Sequence, residues 1–147
     1  MYLSEIGKAR ARLGDPAGAR NAFERSLDAG NVLTWNRTAA DAAGCGVVGQ
    51  LLARYSDKFD RQPDRRTGLM LFELRIAARQ FESAANVARS LAAADPDDLS
   101  LWLRVGQATE QSGSIPEAMD AYRRAADSSN PEAAALARAR LQVLQDK

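Results

Sequence analysis

Apolar residues along the chain recur at the spacing of an α-helix. Phe81, Ala84, Ala85, Ala88 and Leu91 are separated by intervals that fit a turn of about 3.6 residues, so they share one helix face. No segment keeps up the alternation of apolar and polar residues that a half-buried strand needs. The pattern therefore predicts an all-α chain.

The same pattern occurs twice, 34 residues apart. The positions of the first copy are Phe81, Ala84, Ala85, Ala88, Leu91 and Pro96. Those of the second copy are Ile115, Ala118, Met119, Tyr122, Ala125 and Asn130. A period of about 34 residues indicates a unit of helix, short turn and helix that stacks on copies of itself. The internal match thus predicts a stack of helical hairpins.

The segment from Leu99 carries a family pattern most fully, in Trp102, Val105, Gly106, Gly113, Ile115, Ala118, Tyr122 and Ala125. It resembles the tetratricopeptide-repeat family. The resemblance covers four repeats, at about 1–31, 32–64, 65–98 and 99–130, and a capping helix at 131–145. The third repeat departs from the pattern, since Gly68 stands where Trp is expected. The resemblance implies a single domain, residues 1–147, folded as a right-handed superhelical solenoid of antiparallel helix pairs.

Helix starts and ends can be predicted from capping residues. An acceptor side chain followed by proline is typical of a helix start, and it occurs at Asp15-Pro16, Asp95-Pro96 and Asn130-Pro131. We expect Ser114 to cap a helix that begins near Ile115. Gly30 and Gly113 are expected to end helices in the left-handed conformation.

The tail from Pro131 to about Gln145 is predicted to be one helix. Its apolar stripe is Leu136, Ala139 and Val143, and its polar residues Arg138, Gln142 and Gln145 face away. A polar outer side suits the last element of a solenoid. The first predicted helix has no such cap, so we expect a fragment of a longer repeat array. The apolar Tyr2, Leu3 and Ile6 would be exposed there, which makes a homodimer possible.

Charge and composition argue against several classes of partner. The chain has 20 basic and 19 acidic side chains, whereas a nucleic-acid binder usually has a basic excess. It has no apolar run near the roughly 20 residues of a membrane span, and we expect no direct membrane insertion. No targeting signal is evident. An Ala- and Arg-rich, Lys-poor composition suggests a bacterial source, in the cytoplasm or the periplasm.

Catalytic chemistry has little support in the sequence. Histidine is absent, which removes the commonest general base and zinc ligand. The run Gly44-Cys45-Gly46-Val47-Val48-Gly49 matches a dinucleotide fingerprint, but it follows a predicted helix rather than a strand, so we interpret it as a turn. Met70 is interpreted as core filler. We predict no enzyme activity and no catalytic, cofactor or metal site.

The resemblance implies a binding role for the concave face of the solenoid. In this family the first helix of each repeat lines that face. The matching residues are Lys8, Arg12, Asn36, Arg66, Leu69, Glu73, Leu103, Gln107, Glu110 and Gln111. Hydrogen-bonding side chains beside leucines suit an extended peptide or a partner helix. The simpler alternative is that these are ordinary solvated positions.

Two functions follow from the resemblance. The first is a protein–protein interaction scaffold that binds a peptide or partner helix in its concave groove. The second is a structural spacer segment of a bacterial secretion, exopolysaccharide-export or envelope-assembly protein.

Overall fold

The computed structural model describes residues 2–146, and within them it contains nine helices and no strand. The helices are α1 Tyr2–Arg12, α2 Pro16–Ala29, α3 Trp35–Gly44, α4 Val48–Arg61, α5 Arg65–Ala77, α6 Phe81–Ala94, α7 Leu101–Gln111, α8 Ile115–Ala125 and α9 Pro131–Gln145. The all-α prediction is confirmed, and so is the single helix predicted for the tail.

The chain forms two compact units, of which one ends at Gln80 and the other begins at Phe81. The first unit holds α1 to α5 and the second holds α6 to α9. The single domain with four repeats and a cap stays a prediction.

One kind of turn recurs between consecutive helices. Gly14, Gly46, Arg79 and Gly113 all have a positive φ, and they lie at intervals of 32, 33 and 34 residues. Each donates its N–H to the carbonyl three residues before it, and the next residue donates to the carbonyl five residues before itself. This pair of bonds is the Schellman motif, which satisfies the last carbonyls of a helix.

The turns confirm two interpretations of the sequence and correct a third. Gly113 is left-handed, as predicted. The glycine-rich run from Gly44 to Gly49 spans the turn between α3 and α4, which confirms that interpretation. Gly30 is not left-handed but extended, with φ −88° and ψ −168°. The prediction for Gly30 was wrong because the chain leaves α2 into a longer connection rather than a tight turn.

The predicted caps are partly confirmed. Asp15 Oδ1 accepts from the N–H of Gly18, and Asn130 Oδ1 accepts from two N–H groups at the start of α9. Asp95 does not cap α7, because that helix begins only at Leu101, so this prediction was wrong. Ser114 precedes α8 as expected, but its side chain makes no capping hydrogen bond.

Two hairpins bring their helices into close contact through a glycine. In α1 and α2, a Cβ at Gly7 would lie 2.8 Å from the ring of Phe23. In α7 and α8, a Cβ at Gly106 would lie 2.6 Å from the ring of Tyr122. Both rings are fully buried, so they have little room to move aside. The glycines are therefore required by the packing.

The α3–α4 hairpin is different, because its two helices make few contacts with each other. Both pack mainly against α5. Six consecutive residues of α5, from Thr67 to Phe72, are buried. Six consecutive positions cover every side of a helix, so this stretch lies in an interior rather than at a surface. Within the first unit, α5 is the helix on which α3 and α4 converge, and Met70 is part of the core, as predicted.

The second unit has a core where α8 meets α9. Ala118, Tyr122 and Ala125 of α8 pack with Ala137 and Leu144 of α9. Further apolar side chains are packed on this cluster, among them Trp102, Leu103, Ile115, Met119 and Leu141. The small alanines allow α8 and α9 to approach closely, and the tyrosine ring fills the space that remains.

Candidate protein-binding face

Four residues of α7 predicted to bind a partner share one face of the helix. Leu103, Gln107, Glu110 and Gln111 lie opposite the buried side formed by Leu101, Val105 and Ala108. Gln107 and Gln111 are exposed, while Leu103 and Glu110 are half-buried. The structure thus brings the four predicted residues of the second unit together on α7.

Glu110 joins α7 to both later helices. Its Oε1 accepts from the Tyr122 hydroxyl at 2.8 Å and from Nε of Arg140 at 3.1 Å, and its Oε2 accepts from the Arg140 Nη2. Burial, and then the hydrogen bond to the Glu110 carboxylate, raises the pKa of the Tyr122 hydroxyl. The hydrogen bond to Glu110 likewise raises the pKa of Arg140. Glu110 is therefore an anchor that sets the position of Arg140.

Leu136 and Val143 lie one helical turn before and after Arg140 on α9. They are exposed at 55% and 40% respectively. The predicted orientation of the α9 stripe was wrong, because the buried side of α9 is formed by Ala133, Ala134, Ala137 and Leu144. Small residues permit close packing on α8, and the larger Leu136 and Val143 are left in water. Leu136, Arg140 and Val143 are spaced at i, i+4 and i+7, which places them on one side of α9. This spacing is the sequence signal that could have identified them as an exposed row.

We call this surface the α7–α9 face, and define it as Leu103, Gln107, Gln111, Leu136, Arg140 and Val143. The Glu110–Arg140 contact joins the α7 residues of this face to its α9 residues. The face offers two amides and a guanidinium for hydrogen bonds, together with exposed aliphatic side chains. Such a mixture can bind an extended chain through its polar groups and an amphipathic helix through its apolar ones.

The predicted residues of the first unit are less available. Nζ of Lys8 pairs with Glu5 at 2.7 Å and with Asp41 at 3.8 Å. The hydrogen bond between Lys8 and Glu5 raises the pKa of Lys8 and lowers the pKa of Glu5. Arg12 and Asn36 are exposed.

Arg66, Leu69 and Glu73 lie on α5. Arg66 stacks over the Trp35 ring at 4.9 Å, and its Nη2 donates to the carbonyls of Asp28 and Gly30 at 2.7 and 3.2 Å. This guanidinium satisfies carbonyls at the end of α2. Leu69 is buried and Glu73 is half-buried. Of the predicted residues of the first unit, Arg12, Asn36 and Arg66 are exposed, and the guanidinium of Arg66 is already engaged by the carbonyls of α2 and Gly30.

The apolar group expected at the start of the chain is only partly exposed. Tyr2 is exposed at 77%, whereas Leu3 and Ile6 are half-buried. Homodimer formation through these residues stays a prediction.

A metal site finds no geometric support in residues 2–146. This part of the chain contains no group of three or more Cys, Asp or Glu side chains placed to hold a metal ion. Cys45 is a half-buried free thiol in the α3–α4 turn. Among the same residues, every helix is too short or too polar to cross a membrane.

The tetratricopeptide-repeat family model matches residues 69–134, a little under half of the chain. Over these residues the sequence is similar to tetratricopeptide repeats. The matched segment includes all of α7 and α8, with the Gly106–Tyr122 contact and the first part of the α7–α9 face. No curated protein matches the sequence.

Solved structures of MamA share the fold. The MamA structure MSR-1 C2 aligns with a TM-score of 0.53 at 18% identity, over 99% of this chain and 88% of the other. The structure MamA AMB-1 P212121 gives 0.52 at 19% identity, over 99% and 84%. At this identity the likeness concerns the fold alone. Tetratricopeptide repeats are non-enzymatic scaffolds, so the matched repeats support a general role in protein–protein interaction. The absence of enzyme activity stays a prediction.

Proposed function

We propose that the chain is a scaffold that binds a peptide or partner helix on the α7–α9 face. The observation that carries the proposal is the pair of exposed aliphatic side chains on either side of Arg140. Leu136 and Val143 are among the most exposed large apolar residues of the second unit. Their spacing repeats with the helix turn, as a partner helix or extended chain requires.

Polar groups set the register of the bound segment in this proposal. Gln107 and Gln111 lie one turn apart, and both are exposed. A side-chain amide donates and accepts at once, so the pair can bind the backbone of an extended peptide. Arg140 is held by Glu110 and keeps its charge at the edge of the face. Burial of Leu136 and Val143 would supply most of the affinity, and the amides would supply orientation.

The test is a selection of peptides from a random dodecamer library on the immobilised chain, followed by titration of the selected peptides. We expect Leu136→Asp combined with Val143→Asp to raise Kd at least tenfold, because burying two aliphatic side chains is worth about 3 kcal/mol or more. Gln107→Ala combined with Gln111→Ala should raise Kd about fivefold.

Leu33→Asp is the matched control, since Leu33 is an exposed leucine (85%) of the first unit. It should leave Kd unchanged. If selected peptides bind the Leu136/Val143 variant as tightly as the original chain, the α7–α9 face is not the binding site. A selection that yields no peptide, together with normal folding, would favour the spacer function instead.

A further inference from the structure

The second unit contains a cavity on another side of α7. Its volume is about 510 Å³, within the range of roughly 300–1,000 Å³ that is typical of ligand pockets. It is open to solvent, and it is lined by the end of α6, the connection to α7, the start of α7 and the end of α8. Its apolar lining consists of Ala92, Ala93, Pro96, Leu99 and Trp102.

The cavity is distinct from the α7–α9 face. Trp102 and Gln107 are five residues apart on α7, so their directions differ by about 140° around the helix axis. Arg89 and Arg124, which also line the cavity, come from α6 and α8. None of the six residues of the α7–α9 face contributes to it. A ligand in the cavity would therefore bind independently of a segment on that face.

Two guanidinium groups border the apolar lining. Arg124 stacks over the Trp102 ring at 4.4 Å and pairs through Nε with Asp120 at 3.5 Å. This leaves its terminal amino groups available, because Arg carries five N–H donors. Arg89 donates to Glu117 and to Asn86, both at 2.9 Å.

These ion pairs can be exchanged for contacts with a ligand. The side chains of Asp120 and Glu117 are each 63% exposed, and neither lines the cavity. Exposed pairs of this kind contribute little to stability, so a ligand carboxylate can replace them at low cost. Asp127 is the acid within the lining, against two arginines. The lining is thus mostly apolar, with a net charge of +1 from Arg89 and Arg124 against Asp127.

We propose that this cavity binds an acidic partner peptide, with an apolar side chain placed beside Trp102 and a neighbouring carboxylate on Arg124 and Arg89. The cation–π contact holds Arg124 in place before the ligand arrives, which reduces the ordering needed on binding. The two parts of the recognition act together, since carboxylate pairing is stronger where an apolar side chain excludes water.

The probe is the fluorescent peptide Gly-Asp-Xaa-Glu-Gly, with Leu, Ile, Phe or Trp at Xaa, titrated by anisotropy at low ionic strength. Its neutral counterpart has Asn and Gln in place of the acids. We expect at least one acidic probe to bind saturably, and its neutral counterpart to bind at least tenfold more weakly. Added salt should weaken binding of the acidic probe, because both guanidinium groups are partly solvated.

Two variants locate the site. Arg124→Gln should weaken binding of the acidic probe at least tenfold and binding of the neutral probe less than twofold. Arg123→Gln, at the preceding residue of α8, should change the affinity for neither probe. Ala93→Phe fills the cavity from an exposed position of α6 and should abolish binding. Ser90→Phe adds the same ring to α6 outside the lining and should have no effect.

The proposal is overturned if no probe saturates at millimolar concentration. It is also overturned if Ala93→Phe leaves binding intact, or if Arg124→Gln weakens both peptides equally. Urea midpoints of all variants should match that of the original chain, which excludes unfolding as the cause. Because the α7–α9 face is unchanged in these variants, peptides selected for that face should still bind them.

Discussion

The α7–α8 and α3–α4 hairpins share a turn but differ in their packing. Both turns have a left-handed glycine and the same two backbone hydrogen bonds. Yet α7 and α8 are in close contact through Gly106, whereas α3 and α4 make few contacts with each other and pack on α5. The turn therefore sets how two helices are connected, and the side chains along them set whether they touch.

The two tyrosines of these hairpins show the same difference. The Tyr122 hydroxyl donates to Glu110, on the other helix of its own hairpin, at 2.8 Å. The Tyr55 hydroxyl of α4 donates instead to Asp28 Oδ1 of α2, also at 2.8 Å. A buried hydroxyl needs a partner, and Tyr122 has one within its own hairpin whereas Tyr55 has one on α2.

The largest effect is expected from closing the glycine gap in α7. Gly106→Ala places a methyl group against the buried Tyr122 ring, and overpacking of this kind lowers the free energy of unfolding by about 1–3 kcal/mol. Urea unfolding followed by Trp102 fluorescence in a Trp35→Phe background reports on the second unit, because Trp102 is then the only tryptophan.

Gly49→Ala is the matched control, because a Cβ at Gly49 meets no atom within 4 Å. Gly49 lies in the first unit, so its effect is followed by Trp35 fluorescence in a Trp102→Phe background. In α4 the added methyl group should raise stability by about 0.5–1 kcal/mol through helix propensity alone. If Gly106→Ala stabilised the chain to the same extent, the role given to the glycine contact would be wrong.

A second effect concerns alkaline pH. The pKa of both Tyr122 and Tyr55 is raised, in each case by burial and then by the acidic partner. A raised pKa in the folded state stabilises the chain below the unfolded pKa of about 10, and this stabilisation is lost as pH rises further. The free energy of unfolding should fall above about pH 10 by up to ~1.4 kcal/mol per pH unit for each tyrosine.

Tyr122→Phe and Tyr55→Phe should each make the free energy of unfolding fall less steeply with pH, because each removes one of the two titrating hydroxyls. Tyr2→Phe, at a ring exposed to 77%, should leave the decline unchanged. Stability curves from pH 8 to 11.5 provide the measurement. An equal slope in all three variants would show that the two buried hydroxyls do not cause the decline.

The smallest effect is expected at the turn that lacks a glycine. Arg79 has a φ of 61°, a conformation that costs a side chain about 1 kcal/mol or more relative to glycine. Greater freedom of glycine in the unfolded chain offsets part of this, so Arg79→Gly should raise stability by about 0.5 kcal/mol. Gly113→Ala should lower stability by about 1 kcal/mol. Urea midpoints measure both effects. A loss of stability in Arg79→Gly would contradict the claim that this turn favours glycine.

Local signals in the sequence predicted much of the fold. Asp15 and Asn130 each combine a side-chain acceptor with a following proline, and both cap helices as expected. Gly113 was recognisable because a left-handed residue at a helix end favours glycine. The all-α class and the α7 part of the α7–α9 face follow from helical periodicity and from the resemblance of residues 99–130.

Properties that depend on neighbouring helices could not be predicted in this way. Leu69 matches a concave position, but it is buried because α5 is enclosed by its neighbours. The α9 stripe was predicted to be the packed side, because size alone does not show that alanines form the better contact with α8. The intramolecular bonds of Arg66 and Glu110 depend on partners that are distant in the sequence. Arg66 donates to the carbonyls of Asp28 and Gly30, and Glu110 accepts from Tyr122 and Arg140.

The recurring Schellman turn also bears on how such a chain can diverge. Its two bonds join main-chain atoms, and even the left-handed residue can change, as Arg79 shows. The position of each turn therefore depends on main-chain hydrogen bonds, which most side-chain substitutions leave in place. Side chains along the helices can therefore change while the spacing of the turns is kept.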